Sequence, residues 1–202
     1  PASSAWEGFR IVLAGVFNTG RDYDAGSVLT FGFNARLVGD MLFRATPLIM
    51  TGLSVALAYK TGLFNIGAPG QYLMGTAASI VVALSIDTSV VPAFIVWVLA
   101  FLAAVAAGAL WGCIPGLFKA YLNVNEVITS IMTNWIAANL VTLLFDGSQF
   151  INNVDFGKTG YTLKTSTNGV ATAKMGLDFG GSSANAGILL AILLAVAAYI
   201  VI

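Results

Sequence analysis

Long apolar runs separated by short polar breaks set the pattern of this chain. The first run is Met41 to Tyr59, "MLFRATPLIMTGLSVALAY", interrupted only by Arg44 near its start. The second extends from Leu63 to Ile86, the third from Val90 to Ile114 and the fourth from Val127 to Phe145. A fifth starts near Ala186 and is still apolar at Ile202. A helix needs about 20 mostly apolar residues to cross a bilayer, and runs this long favour helices over strands. The pattern predicts an all-α membrane protein, a polytopic bundle with the five runs as transmembrane helices. The chain begins at Pro1 and stops inside an apolar run, so it is expected to be a fragment with material on both sides.

Two segments break the pattern. Residues 1–36 mix charges with aromatics and read as an interfacial or external segment. Within it Trp6, Phe9, Ile11, Val12, Leu13 and Phe17 suit an amphipathic helix lying on the membrane. Residues 146–185 are rich in Gly, Asn, Ser and Thr and read as an external loop, with a short hairpin suggested by alternation such as "YTLKTS". Basic residues in short loops mark the cytoplasmic side. Lys60 lies between the first two spans and Lys119 between the third and fourth, which places both inside. Residues 1–36, the turn at Asp87 and the long loop then face outside. Lys158, Lys164 and Lys174 in that loop run against the rule, but Asp146, Asp155 and Asp178 balance them.

Composition supports this reading and removes several functions. The 202 residues are 58% hydrophobic and 9% charged, with a mean hydropathy of +0.88. Soluble domains carry about 25% charged residues, so lipid is the expected solvent. Net charge is zero and no basic run exists, which gives no support for nucleic-acid binding. The single Cys113 excludes an internal disulfide and reads as a buried small hydrophobe, and without His a zinc site has few ligands. Nucleophilic catalysis lacks a base. No Gly-rich loop followed by Lys-Ser or Lys-Thr is present, so the chain binds no ATP through such a loop.

Small and polar residues inside the apolar runs are the informative ones. In "GALWGCIPG", Gly108, Gly112 and Gly116 fall on one helix face and allow close helix packing or a subunit contact. Pro115 is expected to bend or end that helix. In "AYLNVNEVITSIMTNWIAANLV", Asn123 or Asn125 can cap the fourth helix, and Glu126 complements its positive end. Asn125, Glu126, Thr129 and Asn134, with Thr133 between, are also candidates for gating or subunit contact, because a polar stripe is costly in lipid. In "LFNIGAPGQYLMG", Asn65, Gly67, Pro69, Gly70 and Gln71 make a regular helix from Leu63 unfavourable. Two readings stay open there: a broken helix lining a cavity, or a plain cytoplasmic turn.

The phrases "RATPLIMTGLSVALAYKTGLFNIGAPGQYLMGTAAS" and "ALWGCIPGLFKAYLNVNEVITSIMTNWIA" resemble permease subunits of bacterial ABC importers. The likeness is to the branched-chain amino acid, ribose and nucleoside group, nearest its simple-sugar and nucleoside (guanosine-type) permeases. It is strong over residues 36–145. Such permeases commonly read Glu where this chain has Pro69, so no role here rests on a carboxylate at that position. The resemblance implies a fold similar to the vitamin B12-type importer and a multi-pass location in the bacterial cell membrane. It implies a second permease subunit, often a different one, a cytoplasmic ABC ATPase that carries the ATP and Mg, and an external substrate-binding protein or lipoprotein. The five spans would be the second to sixth of the whole subunit, with the coupling helix beyond Ile202.

On this reading Asn65, Gly67, Gln71 and Tyr72 line or shape the pathway of a nucleoside or simple-sugar importer. The alternatives are a branched-chain amino acid or another sugar as substrate, or a scaffold that transports nothing. A scaffold would leave Asn65 and Gln71 packed in protein with no adjoining cavity.

Overall fold

The computed structural model describes residues 18–22, 28–31, 35–152, 160–171 and 182–201. Helices carry the architecture: α1 (Ala35–Lys60), α2 (Ala68–Ser85), α3 (Ala93–Leu122), α4 (Glu126–Phe145) and α5 (Gly187–Val201). α1 from Arg36, α3 and α4 are each long and apolar enough to cross a membrane. Large apolar side chains such as Leu48, Phe94, Trp135 and Leu143 remain exposed along them. This is a helical membrane protein, in which lipid takes the place of water around the apolar faces.

Several boundaries differ from those the apolar pattern predicts, and each has a local cause. α1 begins at Ala35, ahead of Met41. Asp40 in its early turns holds the chain ahead of α5, its Oδ1 accepting from the Ser183 N–H at 2.8 Å. α2 begins at Ala68 rather than Leu63. α3 does not end at Pro115; the proline sits inside it, and the helix runs on to Leu122. Pro115 costs one backbone bond, whereas leaving the helix in lipid would expose many. The true stop is Asn123, with a left-handed φ of 50°; its N–H donates to the Lys119 carbonyl and the next N–H, of Val124, to the Phe118 carbonyl. Asn123 therefore closes α3, and Asn125 is the residue that caps α4.

The chain forms two compact units. In the one made of residues 1–50 and 173–197, strands β1 (Asn18–Asp22) and β2 (Val28–Phe31) pair antiparallel, with Asp22 opposite Val28. Valine, threonine and phenylalanine favour extended pairing, so part of the segment expected to lie on the membrane is a pair of antiparallel strands. The amphipathic helix expected from Trp6 to Phe17 lies outside the described residues. α5 opens with Asn185, whose Oδ1 accepts from Gly187 N at 2.9 Å. A Cβ on Gly187 would lie 3.6 Å from Thr46 Cγ2, so the start of α5 sits close against α1. Ser182, Ala184, Ile188 and Ala191 are buried there.

The other unit, residues 51–172 with 198–202, holds the second half of α1 and all of α2, α3 and α4. α2 lies against α3 through small residues: a Cβ on Gly75 would stand 2.9 Å from the Ala104 carbonyl oxygen. At the far end Ala83, Val96, Ala100 and Val170 form a small core. In the following turn Asp87 Oδ1 accepts from Ser89 N at 2.8 Å, which holds its carboxyl below the usual value. The long loop reaches this end through a 3-10 turn, η1 (Thr165–Asn168). Asn168 Nδ2 donates to the Ala83 and Ile86 carbonyls at 2.8 and 2.7 Å, closing the end of α2. The hairpin expected in that loop is, among the described residues, one bridge between Ile151 and Thr162.

Candidate functional site

The connection between α1 and α2 builds one wall of the site. Gly62, at φ +79°, ends α1, and the Leu63 N–H turns back to the Ala58 carbonyl at 3.0 Å. Asn65 then folds on itself: its Oδ1 accepts from Gly67 N at 3.0 Å. Pro69 falls in the first turn of α2, where a missing N–H removes only a donor that has no helical partner. The breakers and amides of this stretch therefore form a connection followed by a helix start, not an interruption within one helix.

α4 secures that connection. Asn134 Oδ1 accepts from Gly70 N at 2.9 Å, and Asn134 Nδ2 donates to the Ile66 carbonyl at 3.0 Å. One amide thus satisfies a donor that the helix start would leave open and the carbonyl just ahead of the N-cap. Gly70 is required for the approach, since a Cβ there would be 2.6 Å from Asn134 Oδ1 and 3.3 Å from Trp111 Nε1. The Trp111 indole N–H is buried at the same place with no hydrogen-bond partner.

Next to this lies the pair Asn65 and Gln71. Asn65 Nδ2 donates to Gln71 Oε1 at 3.3 Å, and Gln71 Nε2 donates back to Asn65 Oδ1 at 3.3 Å. Asn65 Nδ2 also donates to Ser54 Oγ on α1 at 3.1 Å. The Gln71 side chain lies over Gly112 of α3, where a Cβ would stand 2.9 Å from Nε2. The two amides wall a cleft of about 170 Å³. Gly112 and Gly116 lie on its α3 side, and Lys119 and Glu126 also line it. Lys119 Nζ and Glu126 Oε2 are 3.0 Å apart, so the charges bordering the cleft neutralise each other. Ser130, buried on α4, completes the wall.

The residues singled out in sequence thus separate into two sets. Asn65, Gln71, Gly112, Gly116 and Glu126 meet at one cleft although they come from three different motifs. Gly67 shapes it from behind, within 3.5 Å of Ser130 by its absent Cβ. Gly108 packs on the Gln71 carbonyl at 3.3 Å by the same measure, and Gly116 faces open space. Tyr72 is half exposed and is not part of the wall, because one residue on from Gln71 turns about 100° around the helix. Asn125 accepts from Val127 N at 2.9 Å and Thr129 donates to the Asn125 carbonyl at 3.1 Å, so both serve the start of α4. Both ends of the Asn134 amide are engaged inside the chain. Cys113 is exposed, not buried, since the packed face of α3 is the one carrying Gly108 and Gly112.

Sequence reasoning did not find Ser54, Ser130, Trp111 or Asn168. Ser54 and Ser130 are single small hydroxyls in apolar runs, which ordinarily bond to their own helix. Asn168 precedes a glycine and carries only a turn signal; nothing local points to α2.

Comparison with known proteins adds the family. Residues 37–202 match the family model described as branched-chain amino acid transport system / permease component. The guanosine ABC transporter permease protein of Bacillus subtilis is 47% identical over 107 residues, 53% of this chain and 30% of that protein. The glucose ABC transporter permease protein of Haloferax volcanii is 38% identical over 168 residues, 80% of this chain and 43% of that protein. The nucleoside ABC transporter permease protein of Lactococcus lactis is 38% identical over 144 residues, 71% of this chain and 38% of that protein. The chain spans less than half the length of each of these relatives. No solved structure gives a significant match.

Proposed function

We propose that this chain, which belongs to the family of branched-chain amino acid transport system permease components, forms part of the solute pathway of an ATP-driven importer for nucleosides or simple sugars. The observation that carries the reading is the cleft itself. Asn65 and Gln71 border open space, which a scaffold protein has no use for. Relatives named for guanosine, nucleoside and glucose transport support a neutral, hydroxyl-rich solute. The cleft suits one: its walls offer amides and hydroxyls, and its two charges are already paired. A branched-chain amino acid would bring two charges of its own into competition with Lys119 and Glu126.

In this reading ATP and Mg act on a separate cytoplasmic ATPase. That ATPase biases the two access states of a permease pair, and an external binding protein delivers the solute. The turns at Lys60 and Lys119 face the cytoplasm, which places the cleft toward the inner end of the passage. The test uses the full-length subunit with its partner proteins in cells lacking their own uptake. Cys113 is replaced by Ser, and Gly116→Cys is introduced at a position with nothing within 4 Å of its Cβ. Labelling with a small methanethiosulfonate should block uptake of radiolabelled guanosine or glucose, and excess unlabelled solute should slow the labelling. Full uptake after complete labelling would refute a pathway through this cleft.

A further inference from the structure

Among the described residues lining the cleft, Ser130 alone carries a hydroxyl. The residue is only 2% exposed. Hydroxyls in helices ordinarily donate to a carbonyl three or four residues back. On the same helix Thr129 does so to Asn125 at 3.1 Å, and Thr133 to Ser130 at 3.0 Å. Ser130 Oγ has no hydrogen-bond partner among the described residues. Gly67 leaves room beside it, since a Cβ there would lie 3.5 Å from that oxygen. Glu126, Ser130 and Asn134 stand four residues apart on one face of α4. Glu126 is held by Lys119, and Asn134 by Gly70 and Ile66. The hydroxyl between them is therefore placed by two fixed neighbours and used by neither.

The other neutral polar groups of the wall are engaged. Asn65 has both N–H groups and both lone pairs occupied, by Ser54, Gly67 and Gln71. Gln71 gives Asn65 the edge on which a donor and an acceptor lie side by side. Its remaining N–H and lone pair point to opposite sides of the carboxamide. Leu63, Phe64 and Pro115 of the wall are apolar and offer the hydroxyl nothing. A buried polar group without a partner is costly, and a solute in the cleft can supply one.

We infer that Ser130 is a solute-binding residue of this cleft, its hydroxyl bonding one hydroxyl of a neutral sugar or nucleoside. The inference rests on the reading above and narrows it to one contact. A hydroxyl both donates and accepts, so it meets a sugar hydroxyl in either sense and needs no charge on the solute. Because the chain makes no internal use of this oxygen, removing it separates binding from folding.

The test uses the full-length subunit with its partner proteins, at matched membrane levels. Ser130→Ala removes that oxygen alone. Losing one hydrogen bond of ordinary strength should lower uptake about fivefold at limiting concentrations of labelled guanosine, or of glucose if that is the solute taken. The Tm of the purified subunit should hold or rise by about 1–2 °C, because an unmet buried group is gone and alanine suits a helix better. Single-deoxy analogues of the same solute locate the partner. One analogue should be taken up equally by the native and Ser130→Ala proteins, and the others should show the fivefold loss. The external binding protein's own preference is common to both proteins and cancels in the comparison. Unchanged uptake in Ser130→Ala, a fall in its Tm, or an equal loss for the solute and all its analogues overturns this inference alone. A native transporter that takes up neither nucleosides nor hexoses overturns the reading beneath it.

Discussion

Two glycine-to-alanine changes in neighbouring helices should move stability in opposite directions. In a helix interior alanine is favoured over glycine by about 1 kcal/mol. At Gly52 of α1 a new Cβ meets nothing within 4 Å, so that gain should be realised nearly in full. At Gly75 of α2 the same methyl would stand 2.9 Å from the Ala104 carbonyl oxygen, against a relaxed C···O separation of about 3.3–3.6 Å. The obstacle is backbone, so α2 and α3 must part by roughly half an ångström. Such a gap forfeits a quarter to a half of each contact along the seam, and overpacking typically costs about 1–3 kcal/mol. Subtracting the helix gain leaves Gly75→Ala about 1 kcal/mol less stable than the native chain. The two variants should therefore differ by about 2 kcal/mol, or roughly 2–4 °C in Tm for a full-length subunit more than twice this size. Thermal unfolding of the purified full-length subunit in one detergent, followed by thiol-reactive dye or size-exclusion loss, reads the difference. A Gly75→Ala protein as stable as Gly52→Ala would refute the close approach of α2 and α3.

Other outcomes follow from single contacts. Asn134→Ala strands the Gly70 N–H and the Ile66 carbonyl, at about 1–3 kcal/mol for each unmet group; it should unfold several degrees lower, and Asn134→Asp, which keeps the acceptor, should recover part of the loss. Asn168→Ala should release the loop from the end of α2. Hydrogen exchange should quicken about fivefold to tenfold around residues 165–170 and stay unchanged at the start of α2. Lys119→Glu and Glu126→Lys should each slow uptake by placing like charges beside the cleft, and the double exchange should recover much of it; equal loss in all three would show that the pairing does not matter.

The helices were legible because lipid imposes long apolar runs, and a run such as Val127 to Phe145 has no other use. Their ends were less so. Leu63 and Phe64 extend the apolar run of α2, but the Asn65 side chain turns the backbone, and hydropathy carries no record of a turn made by one amide. Of the two outcomes expected at Pro115, a bend or an end, the end does not occur: the helix continues through it because the alternative leaves more of the backbone unmet. The members of the site could be picked out as polar or small residues in apolar context. Their convergence could not, because Gln71 over Gly112 and Asn134 against Gly70 are contacts between helices. The capping role of Asn125 needed only its neighbours, yet spacing alone left Asn123 as an equal candidate, and the left-handed turn at Asn123 decides between them.

A common device runs through these contacts. Asn65, Asn125 and Asn185 each accept a backbone N–H two residues on. Asn134 meets one donor and one acceptor at the head of α2, and Asn168 meets two carbonyls at its tail. Helix ends leave donors at one terminus and acceptors at the other, and a carboxamide can serve either. An aspartate could serve only the first, and a buried charge costs far more in a low-dielectric surrounding than a neutral amide does. A chain with 9% charged residues meets its backbone needs with asparagine for that reason. Gln71 stands apart from these five. It closes no helix end, it pairs edge to edge with Asn65, and it lines a cleft.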